Sequence, residues 1–177
     1  MSKMAELVGA SRQSRANART LLDGALKASS DVIALAKDLF AIVSVLDSSA
    51  ALRRALTDPS RASADKSALV SGLLGSKFSA AAGELVAKLA EMRWSGPSDL
   101  ADVLEQLAIE AEASAANVAG ELDRLEDELF ALSRIIASNG QLRQGLSSQQ
   151  FPLAARQELV VSLSKGKVSA ATSRMLS

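Results

Sequence analysis

The sequence contains no histidine, no cysteine and no tyrosine, and each absence excludes a class of site. Without histidine, the chain lacks the commonest general base and cannot form a Ser-His-Asp triad. Without cysteine, it has no disulfide, no thiolate nucleophile and no thiolate metal ligand. Only carboxylate pairs or a lysine of lowered pKa remain for catalysis. We therefore expect a binding protein that is not an enzyme and that uses no cofactor and no metal.

A net charge and long hydrophobic runs are also missing. Twenty basic residues balance twenty acidic ones, so neither nucleic acid nor an anionic membrane is strongly attracted to the surface as a whole. The longest apolar run, near residues 39–46, is far shorter than the roughly 20 residues that a membrane-spanning helix needs. The N-terminus is too polar for a secretory signal. The sequence predicts a soluble protein without a nucleic-acid partner and without direct membrane insertion.

Aliphatic residues are abundant: hydrophobic residues make up 48% of the chain and aromatic residues only 3%. These residues recur at spacings of three and four nearly throughout, and no segment shows the alternation of a strand. The pattern predicts an all-α protein. We expect a six-helix bundle followed by a partial second copy, with the six helices at about 10–27, 31–47, 49–57, 63–74, 79–94 and 98–118.

An internal repeat supports this division. Residues 39–87 align without a gap to residues 129–177, at an offset of 90, and 15 of the 49 aligned positions are identical. Many of the matching leucines are three, four or seven residues apart, as two copies of one helical unit require. We therefore expect a first bundle at 1–118 and an incomplete second copy at 119–177, with the helix at 98–118 serving both.

Three local patterns resemble catalytic or metal sites, but each is better explained otherwise. Residues 72–77 contain two glycines and a lysine without the spacing of a phosphate-binding loop. Residues 162–165 match Ser-x-x-Lys without the partner motifs of the acyl enzymes. The acidic residues of 121–128 lie around the exposed face of a predicted helix, whereas calcium prefers a loop with convergent oxygens.

Other side chains have two explanations each. Trp94 either closes the end of the first bundle or anchors a partner. Phe40 and Phe130 occupy equivalent positions in the two copies and are expected in the core. The arginines either keep the surface soluble or meet an acidic partner; they lie at positions 12, 15, 19, 53 and 54.

Several segments in the same order resemble a known family. They are residues 52–60 (Leu-Arg-Arg-Ala-Leu-Thr-Asp-Pro-Ser), 75–79 (Gly-Ser-Lys-Phe-Ser), 93–94 (Arg-Trp), 99–107 (Asp-Leu-Ala-Asp-Val-Leu-Glu-Gln-Leu) and 126–130 (Glu-Asp-Glu-Leu-Phe). Together they resemble the delta subunit of F-type ATP synthases in high-GC Gram-positive bacteria. That family is related to the mitochondrial oligomycin-sensitivity-conferring protein.

The resemblance implies a non-catalytic stator, or peripheral stalk, subunit on the cytoplasmic face of the cell membrane. In the family, an N-terminal helical bundle sits on the catalytic α/β hexamer and grips the N-terminal helix of an α subunit. The rest of the subunit joins the stalk b subunit, so that proton flow drives ATP synthesis. This chain resembles the N-terminal portion, and the strand-containing C-terminal region of the family is missing from it.

By the same resemblance, the α-subunit helix is expected in the groove between the first and fifth helices. The residues that would line it are Leu21, Leu22, Ala25, Leu85, Leu89 and Met92. The second copy, with residues 98–118 as its first helix, is an equal candidate for docking. The alternative function is a free-standing helical adaptor that binds some other amphipathic helix in a groove.

Overall fold

The computed structural model describes residues 3–148 and 150–176, with side chains from residue 12 onward except at position 153. The described residues form ten α-helices and no strand, which confirms the all-α prediction. The helices are α1 (Lys3–Ala28), α2 (Val32–Ser48), α3 (Ala50–Thr57), α4 (Ser63–Leu74), α5 (Ala80–Glu91), α6 (Asp99–Val118), α7 (Leu122–Ser138), α8 (Gly140–Ser147), α9 (Leu153–Ser164) and α10 (Ala170–Met175).

Short polar side chains start several of these helices. The Asp31 carboxylate accepts a hydrogen bond from the Ala34 amide at 2.8 Å and so caps α2. Ser49 caps α3, and Asn139, which is 90 residues later, caps α8 in the same way. Each cap satisfies one of the amide groups that the first turn of a helix leaves without a partner. The capping chemistry is therefore part of the repeat.

The helices follow the repeat in position as well. The pairs α2 and α7, α3 and α8, and α4 and α9 begin 90 residues apart and also end 90 residues apart. Helices α5 and α10 begin 90 residues apart, and α10 is described as far as Met175. The chain divides into two compact units, one up to Glu112 and one from Ala113 onward, and the boundary falls within α6.

The core of the first unit is built around α5, which packs against α1, α2, α3 and α4. The apolar stripe of α5 is buried together with that of α2 and with the first half of α6. Trp94 closes this core: it is buried, and its indole Nε1 donates a hydrogen bond of 2.8 Å to the Leu89 carbonyl. Since its polar atom has an internal partner, Trp94 acts as a core residue.

The second unit starts with the end of α6. Gly120 has a φ of +71°, a left-handed conformation that glycine adopts without steric cost. The amides of Gly120 and Glu121 donate to the carbonyls of Asn117 and Ala116, which is the Schellman ending of a helix. Helices α7 to α10 follow, and Ala116, Leu125 and Ala171 form a small buried cluster.

The two equivalent phenylalanines differ. Phe40 is half-buried and packs against the core of the first unit, as expected. Phe130 is 65% exposed, so the prediction that it lies in the core is wrong. Phe40 lies against the large core cluster of the first unit, to which helices α1 to α6 contribute. The buried cluster described for the second unit is much smaller, and Phe130 does not pack against it.

Candidate partner-binding surfaces

The six residues predicted to line a docking groove lie on α1, on α5 and at the C-terminal cap of α5, and these two helices pack together. Three of them, Leu22, Leu85 and Leu89, are buried in the core of the first unit. The other three are half-buried and lie against that core, namely Leu21, Ala25 and Met92. Only these last three present apolar surface to a partner without a rearrangement of the helices. Contact between a partner and any of the six stays a prediction.

A second surface of the first unit was not predicted. A surface pocket of about 290 Å³ lies between α1 and α6. On its rim, the Arg19 guanidinium bonds the Glu110 carboxylate, with nitrogen to oxygen distances of 2.7 and 3.0 Å. The Arg19 side chain is 72% exposed, so this ion pair contributes little to stability. The sequence left two roles open for Arg19, a solubilising residue or a contact for an acidic partner, and did not identify Glu110, 91 positions away, as its partner.

At several equivalent positions, the second unit leaves partly in water apolar side chains that the first unit buries. Five aliphatic residues of the second unit are only half-buried, although their counterparts in the first unit are fully buried. They are Leu129, Leu132, Ile136, Leu146 and Val160, and we call them the uncovered face. Their counterparts are Leu39, Ile42, Leu46, Leu56 and Val70. The described part of the second unit therefore leaves partly in water the positions that form the core of the first unit.

A carboxylate on α7 holds the start of α10. Glu128 Oε2 accepts hydrogen bonds from the Ser169 amide at 2.7 Å and from the Thr172 hydroxyl at 2.6 Å. Its Oε1 accepts one from Arg124 at 2.8 Å. Burial by itself raises the pKa of Glu128, but these hydrogen bonds together lower that pKa to about 2. The carboxylate also lies at a helix N-terminus, where a negative charge is favoured.

The same contact exists in the first unit. The Asp38 carboxylate on α2 accepts a hydrogen bond of 2.7 Å from the Ser79 amide at the start of α5. Asp38 and Ser79 are 90 residues before Glu128 and Ser169. Sequence analysis missed this pair because positions 38 and 128 lie one residue before the aligned ranges, 39–87 and 129–177. The contact fixes the fifth helix of each copy to the second.

The patterns that resembled catalytic or metal sites have ordinary structural positions. Residues 72–77 run through the end of α4 into the following turn. The Ser162 hydroxyl donates to the Leu159 carbonyl at 2.8 Å within α9. Of the acidic residues at 121–128, Glu128 binds the start of α10 and the other four are exposed. In residues 3–148 and 150–176, no three acidic side chains come together as a metal site would require.

No helix within residues 3–148 and 150–176 combines the length and the apolar character needed to cross a bilayer.

Comparison with known proteins follows the same division of the chain. Residues 108–177 match the family described as ATP synthase delta (OSCP) subunit. The ATP synthase subunit delta of Streptomyces avermitilis is 44% identical over 169 residues, which is 95% of this chain and 62% of that protein. The Beutenbergia cavernae protein of the same name is 46% identical, over 78% of this chain and 51% of that protein. The Kineococcus radiotolerans protein is 43% identical, over 93% of this chain and 60% of that protein.

These relatives are longer than the chain, which spans roughly half to two thirds of their length. The match includes both helical units, because the similarity to the Streptomyces avermitilis protein covers 95% of the residues. The chain therefore belongs to the family of ATP synthase delta (OSCP) subunits.

Proposed function

We propose that this chain is the N-terminal part of a stator subunit of an F-type ATP synthase. In this role it holds the catalytic α/β hexamer still against the rotor and contributes no catalytic group. The observation that carries the proposal is the similarity to proteins named ATP synthase subunit delta, at 44% identity over 95% of the chain. The complex places the chain at the cytoplasmic face of the cell membrane, as a peripheral component.

The chemistry of the described residues supports a binding role. Their polar side chains are used in caps and helix contacts, as Asp31, Asp38 and Glu128 illustrate. Apolar surface remains at the edge of the α1–α5 contact and on the second unit. An amphipathic helix laid into such a surface buries its own apolar stripe, which is a common mode of recognition between proteins.

The partner proposed for the α1–α5 contact is the N-terminal helix of the α subunit. Leu21, Ala25 and Met92 supply the apolar contacts, and the buried Leu22, Leu85 and Leu89 support them from below. The second unit is the other candidate, because the family match covers residues 108–177 and so falls mostly on that copy. Attachment to the stalk b subunit belongs to the longer protein.

A peptide copying the N-terminal helix of the α subunit tests this proposal. We expect saturable chemical-shift changes in the chain, centred on Leu21, Ala25 and Met92. Ala25→Asp places a charge in the contact and is expected to weaken binding about tenfold or more, since it desolvates an unpaired carboxylate. Ala28→Asp, at the exposed end of α1, is the matched control and should bind normally.

The contrary outcomes are distinct. Shifts confined to the second unit would move the docking site to that copy. An absence of shifts at millimolar peptide, together with binding of some other amphipathic helix, would favour the free-standing adaptor.

A further inference from the structure

The surface pocket between α1 and α6, which we call the α1–α6 pocket, lies within the first unit. Its apolar lining comes from Ala16 of α1 and from Val103 and Leu107 of α6. Val103 and Leu107 are buried and form the floor, whereas Ala16 is exposed at the edge. A volume of about 290 Å³ is at the lower limit for small-molecule sites, which measure roughly 300–1,000 Å³. The pocket therefore suits one large apolar side chain of a partner.

The α1 side of the pocket carries positive charge. Arg12, Arg15 and Arg19 are spaced by three and four residues, so they share one side of α1, and all three are exposed. Arg15 and Arg19 line the pocket, and Arg19 is paired with Glu110. Among the side chains that the structure describes, neither Arg12 nor Arg15 has a carboxylate within ion-pair distance. Their guanidinium groups can therefore meet the carboxylates of a partner.

The α6 side of the pocket carries negative charge. Asp102, Gln106 and Glu110 are four residues apart, so they share one side of α6. Gln106 and Glu110 line the pocket, and Asp102 is exposed one turn before Gln106. These carboxylates disfavour nucleic acid and an anionic membrane, which carry many negative charges. Because the two sides differ in sign, the partner that fits is one whose apolar stripe has acidic residues along one side only.

We propose that the α1–α6 pocket docks an amphipathic helix of another subunit of the ATP synthase, with an apolar residue in the pocket and acidic residues facing Arg12 and Arg15. Burial of the apolar residue supplies affinity, and the charges fix the orientation of the helix. This contact rests on the function proposed above and adds a second docking site. Leu21, at the α1–α5 contact, is six residues after Arg15 and so lies about 120° away around α1.

The absence of cysteine allows site-specific cross-linking at this pocket. A cysteine introduced by Ala16→Cys is the only thiol in the 177 residues, and any thiol elsewhere in the longer protein is first replaced by serine. The protein is labelled with a short photoreactive maleimide and assembled into the ATP synthase, which is purified through its β subunit. After illumination, mass spectrometry identifies the cross-linked peptide. Leu21→Cys reports on the α1–α5 contact in the same way.

We expect Ala16→Cys to cross-link to a helical segment with two acidic residues three or four positions apart. Leu21→Cys should cross-link to a different segment, the N-terminal helix of the α subunit. Adding Arg15→Glu should lower the cross-link yield at position 16 about tenfold, because it places a like charge opposite the acidic residues. The yield at position 21 should stay the same, which shows that the variant folds and assembles. Arg15→Lys keeps the charge and should retain most of the cross-link at position 16.

A complex that contains the chain but gives no protein cross-link at position 16 would overturn the second docking site. Attachment to lipid, to a second copy of the chain, to a segment without acidic residues or to the segment found at position 21 would also overturn it. An unchanged yield with Arg15→Glu would refute the role of the charges. Absence of the chain from the purified synthase would instead refute the function proposed above, and this contact with it.

Discussion

Replacing Leu56 by alanine is expected to destabilise the first unit by about 3 kcal/mol, whereas Leu146→Ala should cost the second unit only about 1 kcal/mol. The two leucines are the same residue at equivalent positions of the repeat. Leu56 is fully buried, so alanine would leave a cavity in a closed core. Leu146 is half-buried on the uncovered face, so part of its side chain is already in water.

The comparison is made by urea unfolding of the two variants beside the unchanged chain. Tryptophan fluorescence follows the first unit, because the one tryptophan, Trp94, is buried there. Circular dichroism follows the helices of both units. Similar losses for Leu56→Ala and Leu146→Ala would show that the second copy is as well packed as the first, contrary to the structure.

Acid is expected to weaken the second unit through Glu128. Its pKa is about 2 in the folded chain, against 4.5 for an ordinary glutamate. The stabilisation is therefore complete above about pH 4.5, declines as the pH falls towards 2, and is absent below that. By linkage the shift sets an upper limit of about 3 kcal/mol, and because the carboxylate and its partner Arg124 are in contact with solvent, screening reduces the contribution to about 1 kcal/mol. Glu128→Gln should remove most of it at neutral pH and flatten this part of the acid dependence.

The measurement is a carboxyl titration of Glu128 by NMR, with urea unfolding of the second unit at several pH values. Glu126→Gln removes an exposed carboxylate from the same helix and is expected to change stability by less than about 0.5 kcal/mol. A titration of Glu128 near pH 4.5, or equal effects of the two substitutions, would contradict the role assigned to the Glu128 hydrogen bonds.

Local chemistry made much of the fold predictable from the sequence. The spacing of leucines along α2 is set by helical geometry alone, so its buried face follows directly. Asp31 and Gly120 have strong local preferences, and each takes the position at a helix end that these preferences favour. Because of the repeat, the helix positions predicted for the first copy also predicted those of the second, 90 residues later.

The features that sequence analysis missed depend on contacts between distant residues. Phe130 has the same local sequence pattern as Phe40, but its exposure is set by which helices cover α7. Glu128 was one of five acidic residues, and only the folded chain shows that Ser169, 41 positions later, donates to it. The Arg19–Glu110 pair joins residues 91 positions apart. No local rule identifies such partners.

The first copy forms a closed core in which the apolar side of its fifth helix is buried. A stator must resist torque, and closed helical packing suits that task because well-packed cores deform little. The proposed contact with the α subunit then requires only a few half-buried residues at the edge of a rigid bundle.

Binding to the α/β hexamer of the ATP synthase tests the central claim most directly. The natural, longer form of the protein is mixed with purified hexamers whose α subunits either keep or lack their N-terminal helix, and binding is measured by sedimentation. We predict saturable binding to the intact hexamer and a loss of binding when the helix is deleted. Equal binding to both hexamers would contradict the α-subunit contact, and no binding to either would contradict a stator function.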